Sequence, residues 1–280
     1  MGSLLDIKQQ VKEGSMSGAL SAAKAAVRSA PSDPVPRSAL FALLAANGEQ
    51  ARASEQLETC LSLGGGASLV IYSVLLAASR ERDAVMTGES APRFPNDEVP
   101  AWAPAWQAAL AALHRGDPAL LAAAAAARAD DLSKLAGFNA EYEFEGFRHC
   151  DTRLCGCFEG IFNGRYSWLP LENVLRIAVP ERPELLQDLV WLPVMVHLRR
   201  GEPLQGFLFA TSPGTAEAGG EAEKLARTTT WDESHESVDL SRGVQLFMLG
   251  SEVLPVFSLG QCCFHAPGGT TAPEATSTAS

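Results

Sequence analysis

Two stretches of this chain echo each other at a fixed distance, and that echo constrains the fold more than any other feature. Gly14, Ala19, Ala23 and Val27 recur as Gly48, Ala53, Leu57 and Leu61, each displaced by 34 residues (48 − 14 = 34), which is the period of tetratricopeptide helix pairs. Stacked helices cross closely only where small side chains meet, so alanine at these positions suits a helical array. Ser3 and Asp6 have capping-box spacing, Leu4, Ile7 and Val11 fall on one helical face, and Gly14 supplies a stop. Asp33 can cap a helix whose first turn tolerates Pro34 and Pro36, with Leu40, Leu43 and Leu44 as its stripe and Asn47-Gly48 as its end. Further helices are expected over 67–86, 101–113 and 118–135, with 87–100 as a possible linker rich in turn residues.

From Gly137 onward the composition moves toward Val, Phe, Trp and Pro, and the expectation moves with it to strands. The segment 151–162 reads as a helix closed by Asn163-Gly164, followed by strands over 165–169 and 175–179. The run 189–198 is rich in β-formers and finds a hairpin partner in 205–210, while Pro193 inside it points to an edge strand or a bulge. A helix is expected over 216–227 and a last hairpin from 244–249 and 253–259. The tail from Ala266 has nothing to bury and is expected to be disordered. The chain is thus expected to be an α+β protein. A tetratricopeptide-like helical domain covers 1–135, a β-rich mixed domain covers 136–265, and a disordered tail covers 266–280.

Net charge bounds the partners. The chain of 280 residues carries a formal charge of −11, with no basic run to offset it, which disfavours nucleic acid and anionic membrane surfaces. No uninterrupted apolar leader and no apolar span suited to a bilayer are evident, so a cytoplasmic location is expected. Cys150, Cys155 and Cys157 with His149, joined by Cys262, Cys263 and His265, supply soft ligands, but no Cys-x-x-Cys pair occurs and no metal is expected. His114, His197 and His235 are scattered, and no Gly-rich phosphate loop or Gly-x-Ser-x-Gly elbow is present. Neither a cofactor nor catalysis is expected; a metal- or thiol-dependent enzyme, or a small-molecule-binding protein using the β-rich half, is the alternative.

The segment 151–170 concentrates Gly, Asn, Arg, aromatics and a proline between the two halves. Its residues carry a family likeness: Asp151, Arg153, Leu154, Gly156 and Glu159; then Asn163, Gly164, Arg165, Tyr166, Ser167 and Trp168 with Pro170; then Asp188 through Trp191 to Pro193; and finally Arg227, Thr228 and Trp231. In these blocks the chain resembles the ImpE family, also called TagJ, of bacterial type VI secretion systems, and it departs from the family pattern over 244–265. The resemblance implies a helical tetratricopeptide-like half and a non-enzymatic adaptor that binds the small subunit of the contractile sheath and the ClpV unfoldase. A structural role is expected for the signature, with Arg165 or Arg153 pairing Asp151 or Asp188 at the joint between halves. Phe41, Leu44 and Tyr72 are the expected lining of a concave groove for a sheath helix. The helix bearing Leu4, Ile7 and Val11 either opens the repeat stack or detaches to dock on ClpV.

Overall fold

The structure is a computed structural model and describes residues 3–95, 98–180 and 185–266. Seven helices come first: α1 (Leu4–Glu13), α2 (Met16–Ser29), α3 (Pro34–Ala46), α4 (Gln50–Ser62), α5 (Ile71–Met86), α6 (Ala103–His114) and α7 (Ala119–Ser133). The caps act as their residue types dictate: Ser3 and Asp6 close a reciprocal capping box on α1, Ser15 accepts from Gly18 N–H, and Asp33 accepts from Val35 N–H. The 34-residue echo has a structural counterpart. Ala19, Ala23, Ala53 and Leu57 are all buried where α2 and α4 flank α3, and Gly14 and Gly48 both turn the chain at positive φ, +77° and +81°. No helix among the described residues is long and apolar enough to cross a membrane.

The second half holds β1 (Ala136–Phe138), β2 (Glu143–Glu145), β3 (Phe147–His149), β4 (Cys157–Phe162), β5 (Arg165–Pro170), β6 (Val174–Ala178), β7 (Trp191–Leu198) and β8 (Leu204–Phe209). After the short α8 (Thr215–Ala218) and α9 (Glu221–Lys224) come β9 (Thr229–Trp231), β10 (Ser241–Gly243), β11 (Leu246–Leu249), β12 (Glu252–Pro255) and β13 (Gln261–Phe264). An antiparallel sheet of eight strands runs β2-β1-β13-β6-β7-β8-β4-β5, beside a three-stranded sheet β12-β11-β3 and a β9–β10 pair. Phe158 on β4 packs against Phe147 and Phe247 of the small sheet, whereas its neighbour Glu159 meets Arg82 of α5. The large sheet is therefore the middle layer, with helices on one side and the small sheet on the other.

Several expected elements differ. The segment 151–162 is not a helix: Asp151 caps only a 3-10 turn, Thr152–Leu154, after which the chain enters β4. Asn163 and Gly164, at φ +52° and +74°, form the tight turn of the β4–β5 hairpin rather than a helix end. Strand β7 is interior, but its ladder with β6 ends at Ala178 opposite Met195, so Pro193 lies beyond it and its missing N–H costs no bond there. The helix expected over 216–227 is split by Gly219-Gly220 into α8 and α9. The strand expected over 253–259 ends at Pro255 in a 3-10 turn, and β13, not expected, inserts between β1 and β6. In the segment 87–100, Phe94 is buried and Arg93 bridges Ser167 on the outer edge of β5. The tail expected from Ala266 lies outside the described residues beyond that position.

One apolar cluster runs continuously from Ile7 through the helices into the sheets. At its centre Trp191 of β7 stacks on Phe41 at 6.0 Å and leans on Tyr72 at 5.9 Å, joining the sheet to α3 and α5. Trp191→Ala is expected to lower stability by about 3–5 kcal/mol, and scanning calorimetry should show the helical and β-rich parts unfolding in one transition; a helical transition left in place by the substitution would contradict the shared core.

Candidate functional site

The signature segment is threaded by a buried polar network. Arg82 sits on the buried face of α5 with Leu75, Leu76, Ser79 and Val85, where a guanidinium requires a carboxylate. Glu159 of β4 supplies it: Arg82 Nε donates to Oε2 at 2.9 Å, and a second nitrogen bonds Oε1 and the Thr211 carbonyl. The same carboxylate accepts from Tyr166 Oη at 2.7 Å and Gln245 Nε2 at 2.6 Å, and Trp168 Nε1 donates to Tyr166 Oη at 2.7 Å. Gln245 continues the chain to His149 at 3.3 Å, and Asp151 N–H donates to His149 Nδ1 at 2.9 Å, so the proton of the ring sits on Nε2. Asp151, wholly buried, accepts two side-chain bonds from Arg153 at 2.8 and 2.5 Å and two bonds from Ser241.

Burial alone would raise the Asp151 carboxyl, but the Arg153 guanidinium and the Ser241 N–H hold it below its ordinary range. Burial lowers His149, keeping the ring neutral, and raises the Tyr166 phenol well above its usual value, with Glu159 adding to the effect. The thiols behave likewise: burial pushes Cys150 up to about 11 and Cys155 and Cys262 up to about 12, the reverse of an activated cysteine. No group of three or more His, Cys, Asp or Glu among the described residues is arranged to hold a metal ion.

The remaining predicted residues divide by burial. Trp168 stacks on Trp102 at 6.3 Å, Trp191 donates to Ser79 at 3.1 Å, and Asp188 caps the 3-10 turn Leu186–Leu189 through Leu185 N–H. A Cβ on Gly156 would meet the Arg128 guanidinium at 3.4 Å, and Pro170 closes β5 opposite Cys157. Arg153 pairs with Asp151 as expected, but the pair ties the turn after β3 to β10 within the β-rich half rather than joining the halves; Arg165 stands half exposed on the helical side and bonds Glu81 of α5 at 2.7 Å. Arg227 and Trp231 are exposed. Phe41, Leu44 and Tyr72 do not line an open groove, because Trp191 and its neighbours cover the face that carries them. Ile7 is fully buried and Val11 packs on the core, which fixes α1 onto the stack, while Leu4 remains 40% exposed.

Two hollows flank the network and the helical stack. At the seam between α5, α6 and the loops after β8 and β9, a cleft of about 500 Å³ is lined by Asp83, His114, Arg153, Glu217, His235 and Arg242. Desolvation by its walls, opposed by Arg82 and reinforced by Glu217, pushes Asp83 up to about 6, and solvent screens this effect because the residue is exposed. At the end of the helical array an apolar groove of about 270 Å³ runs between α1, the start of α3 and residues 185–187, lined by Leu4, Val35, Ala39, Leu69 and Leu185 with Lys8 beside them.

Arg82→Met or Glu159→Gln alone should cost about 3–5 kcal/mol, because each strands a buried polar partner, whereas the double variant should cost less than their sum; urea unfolding checks this, and additivity would mean the pair is not coupled. Arg165→Ala, by contrast, should cost no more than about 1 kcal/mol. The sign of the pH response follows from the lowered pKa of His149. Its contribution is complete above the unfolded value of about 6.5 and is lost as pH falls through it, and Asp151 adds a further loss below about 3.9. Melting temperature should therefore drop between about pH 7 and 5, with a shallower slope in His149→Gln.

A sequence model of the ImpE protein family matches residues 141–263. The type VI secretion system accessory component TagJ of Pseudomonas aeruginosa is 33% identical over 268 residues, spanning 94% of this chain and 93% of that protein. The crystal structure of a Vibrio parahaemolyticus protein superimposes with a TM-score of 0.82 over 92% of this chain and 97% of its own at 22% identity, which establishes the shared fold. With the match to TagJ running through the helical stack as well as the signature-bearing sheet, the chain belongs to the ImpE family.

Proposed function

We propose that this protein is an accessory component of a type VI secretion system and acts as a non-enzymatic adaptor. It would take an amphipathic helix of the sheath small subunit into the groove at the end of the helical array and present it to ClpV. The observation that carries this reading is the groove itself. Leu4 is 40% exposed, Val35 50% and Leu185 57%, and they border a hollow whose walls are apolar. Surface residues of this kind, gathered rather than scattered, mark interaction sites. A helix with apolar residues at i, i+3 and i+4 would bury them there, and Lys8 would meet a carboxylate on its polar face. The groove takes over the role expected of Phe41, Leu44 and Tyr72. Leu4 belongs to it, whereas Ile7 anchors the helix from beneath.

The Asp83 cleft is the observation that favours the second reading, a small-molecule-binding protein. Asp83→Asn separates the two, since it alters that cleft and leaves the groove untouched.

Leu4→Asp with Val35→Asp should weaken the binding of peptides covering the amphipathic helices of the sheath small subunit by at least about tenfold in titration calorimetry, or about 1.4 kcal/mol. The melting temperature should stay near that of the unsubstituted chain. Undiminished affinity would remove the groove from the interaction. The same variant titrated with the ClpV N-terminal domain tells whether the two partners share this surface.

A further inference from the structure

The solvent face of the small β12-β11-β3 sheet has the wrong chemistry for a face meant only for water. In an antiparallel sheet with one buried face, the other is ordinarily polar. Here the register sets Arg148 of β3 opposite Met248 of β11, and Met248 opposite Val253 of β12, so that the three side chains form one row on a common face. The next row on that face is Leu246 opposite Pro255. Alternate residues Phe147, Phe247 and Leu249 point the other way and are buried in the core. Trp231 of β9 stands beside the row, 43% exposed, and Val253 is 46% exposed. Hollows of about 320 and 300 Å³ lie on either side of the Arg148–Met248 ridge, one towards Trp231 and the other towards the end of α7.

Arg148 is the second departure. It is half-buried, and among the described residues its side chain makes no hydrogen bond or ion pair, while its charge reaches the thiols of Cys150 and Cys155. The other well-shielded arginines on this side of the molecule, Arg128 and Arg153, are each bonded to a carboxylate. Asp239 on the rim of the Trp231 hollow does not pair with it. The guanidinium stands amid Trp, Met and Val with Asp239 and Glu145 lining the hollows beside it but neither bonded to it, so its donors are open to a carboxylate from a partner. Tryptophan and arginine are also the residues over-represented where interfaces concentrate their binding energy.

We infer that this sheet face is a second docking surface, separate from the α1–α3 groove, for a partner protein segment in which carboxylates alternate with aliphatic side chains. A carboxylate would take both guanidinium donors of Arg148, and an aliphatic side chain would enter the hollow between Trp231 and Val253. The surface is independent of the sheath-helix groove, since no residue is common to both.

The test uses the full chain and a short fluorescein-labelled peptide alternating glutamate with leucine, compared with the same peptide carrying lysine in place of glutamate. Fluorescence anisotropy at low salt should show the glutamate peptide binding at least about tenfold more tightly. Arg148→Glu should invert that preference and Trp231→Ala should abolish binding, while Leu4→Asp with Val35→Asp should leave it unchanged. Equal binding of the two peptides, or indifference to Arg148→Glu at an unaltered melting temperature, would overturn the inference. So would co-sedimentation of the chain with phosphatidylserine vesicles that is lost in Trp231→Ala, because that result assigns the face to an anionic membrane.

Discussion

The carboxylate of Glu159 holds this molecule in one arrangement. It lies at zero side-chain exposure in the middle layer, bonded to Arg82 from the helical layer, to Tyr166 on the adjacent strand and to Gln245 beside the small sheet. Such a group contributes less to net stability than its bond count suggests, because removing both charges from water costs several kcal/mol per ion before any bond is formed. What it adds is selectivity. A slip of one residue along β4 would turn Glu159 toward Phe147 and Phe247 and leave Arg82 buried without a partner, so misregistered packings are penalised while apolar contacts alone would tolerate them. Asp151 repeats the device at the other end of the network, tying the turn after β3 to β10 through Arg153 and Ser241.

This constraint explains why the helical array cannot work as an open solenoid. In free-standing repeat arrays the inner face is left clear for a ligand. Here the face bearing Phe41 and Tyr72 is filled by Trp191, and the two repeat-turn glycines are closed over by α8 and α9: a Cβ on Gly48 would lie 3.0 Å from the Ala216 carbonyl oxygen, and one on Gly14 3.3 Å from Ala222. The protein's own β-rich half occupies the place of a ligand. The surfaces we propose for partners, the groove beside α1 and the face of the small sheet, are ones that the β-rich half leaves uncovered.

The helices were legible because their signals are local: a capping box, Asp33 before proline, alanines at a fixed period. The interior strands β7 and β8 were legible from their density of β-formers, although Pro193 within β7 pointed wrongly to an edge strand or a bulge. Strand β4 was not, because all six of its residues are buried on both faces and show no alternation, while Asp151 offered a genuine cap that serves only a single 3-10 turn. Strand β13 was hidden by shortness and by the 3-10 turn before it.

The site was less legible than the fold, for a reason particular residues make plain. Periodicity identifies Phe41, Leu44 and Tyr72 as one apolar stripe, but whether a stripe meets the chain's own sheet or a foreign helix is decided by a tryptophan about 120 to 150 residues away in sequence, which no local pattern encodes. Arg82 did carry a readable signal. It stands in register with Leu75 and Ser79 on the stripe of α5, and a charge in that position demands a buried carboxylate somewhere in the fold. Arg148 poses the converse problem: in sequence it resembles any strand arginine, and its distinguishing property, the lack of a partner, exists only once every neighbour has been placed. Residues that complete a fold can be inferred from what they must be paired with. Residues that await a partner become visible only against the pairs already made.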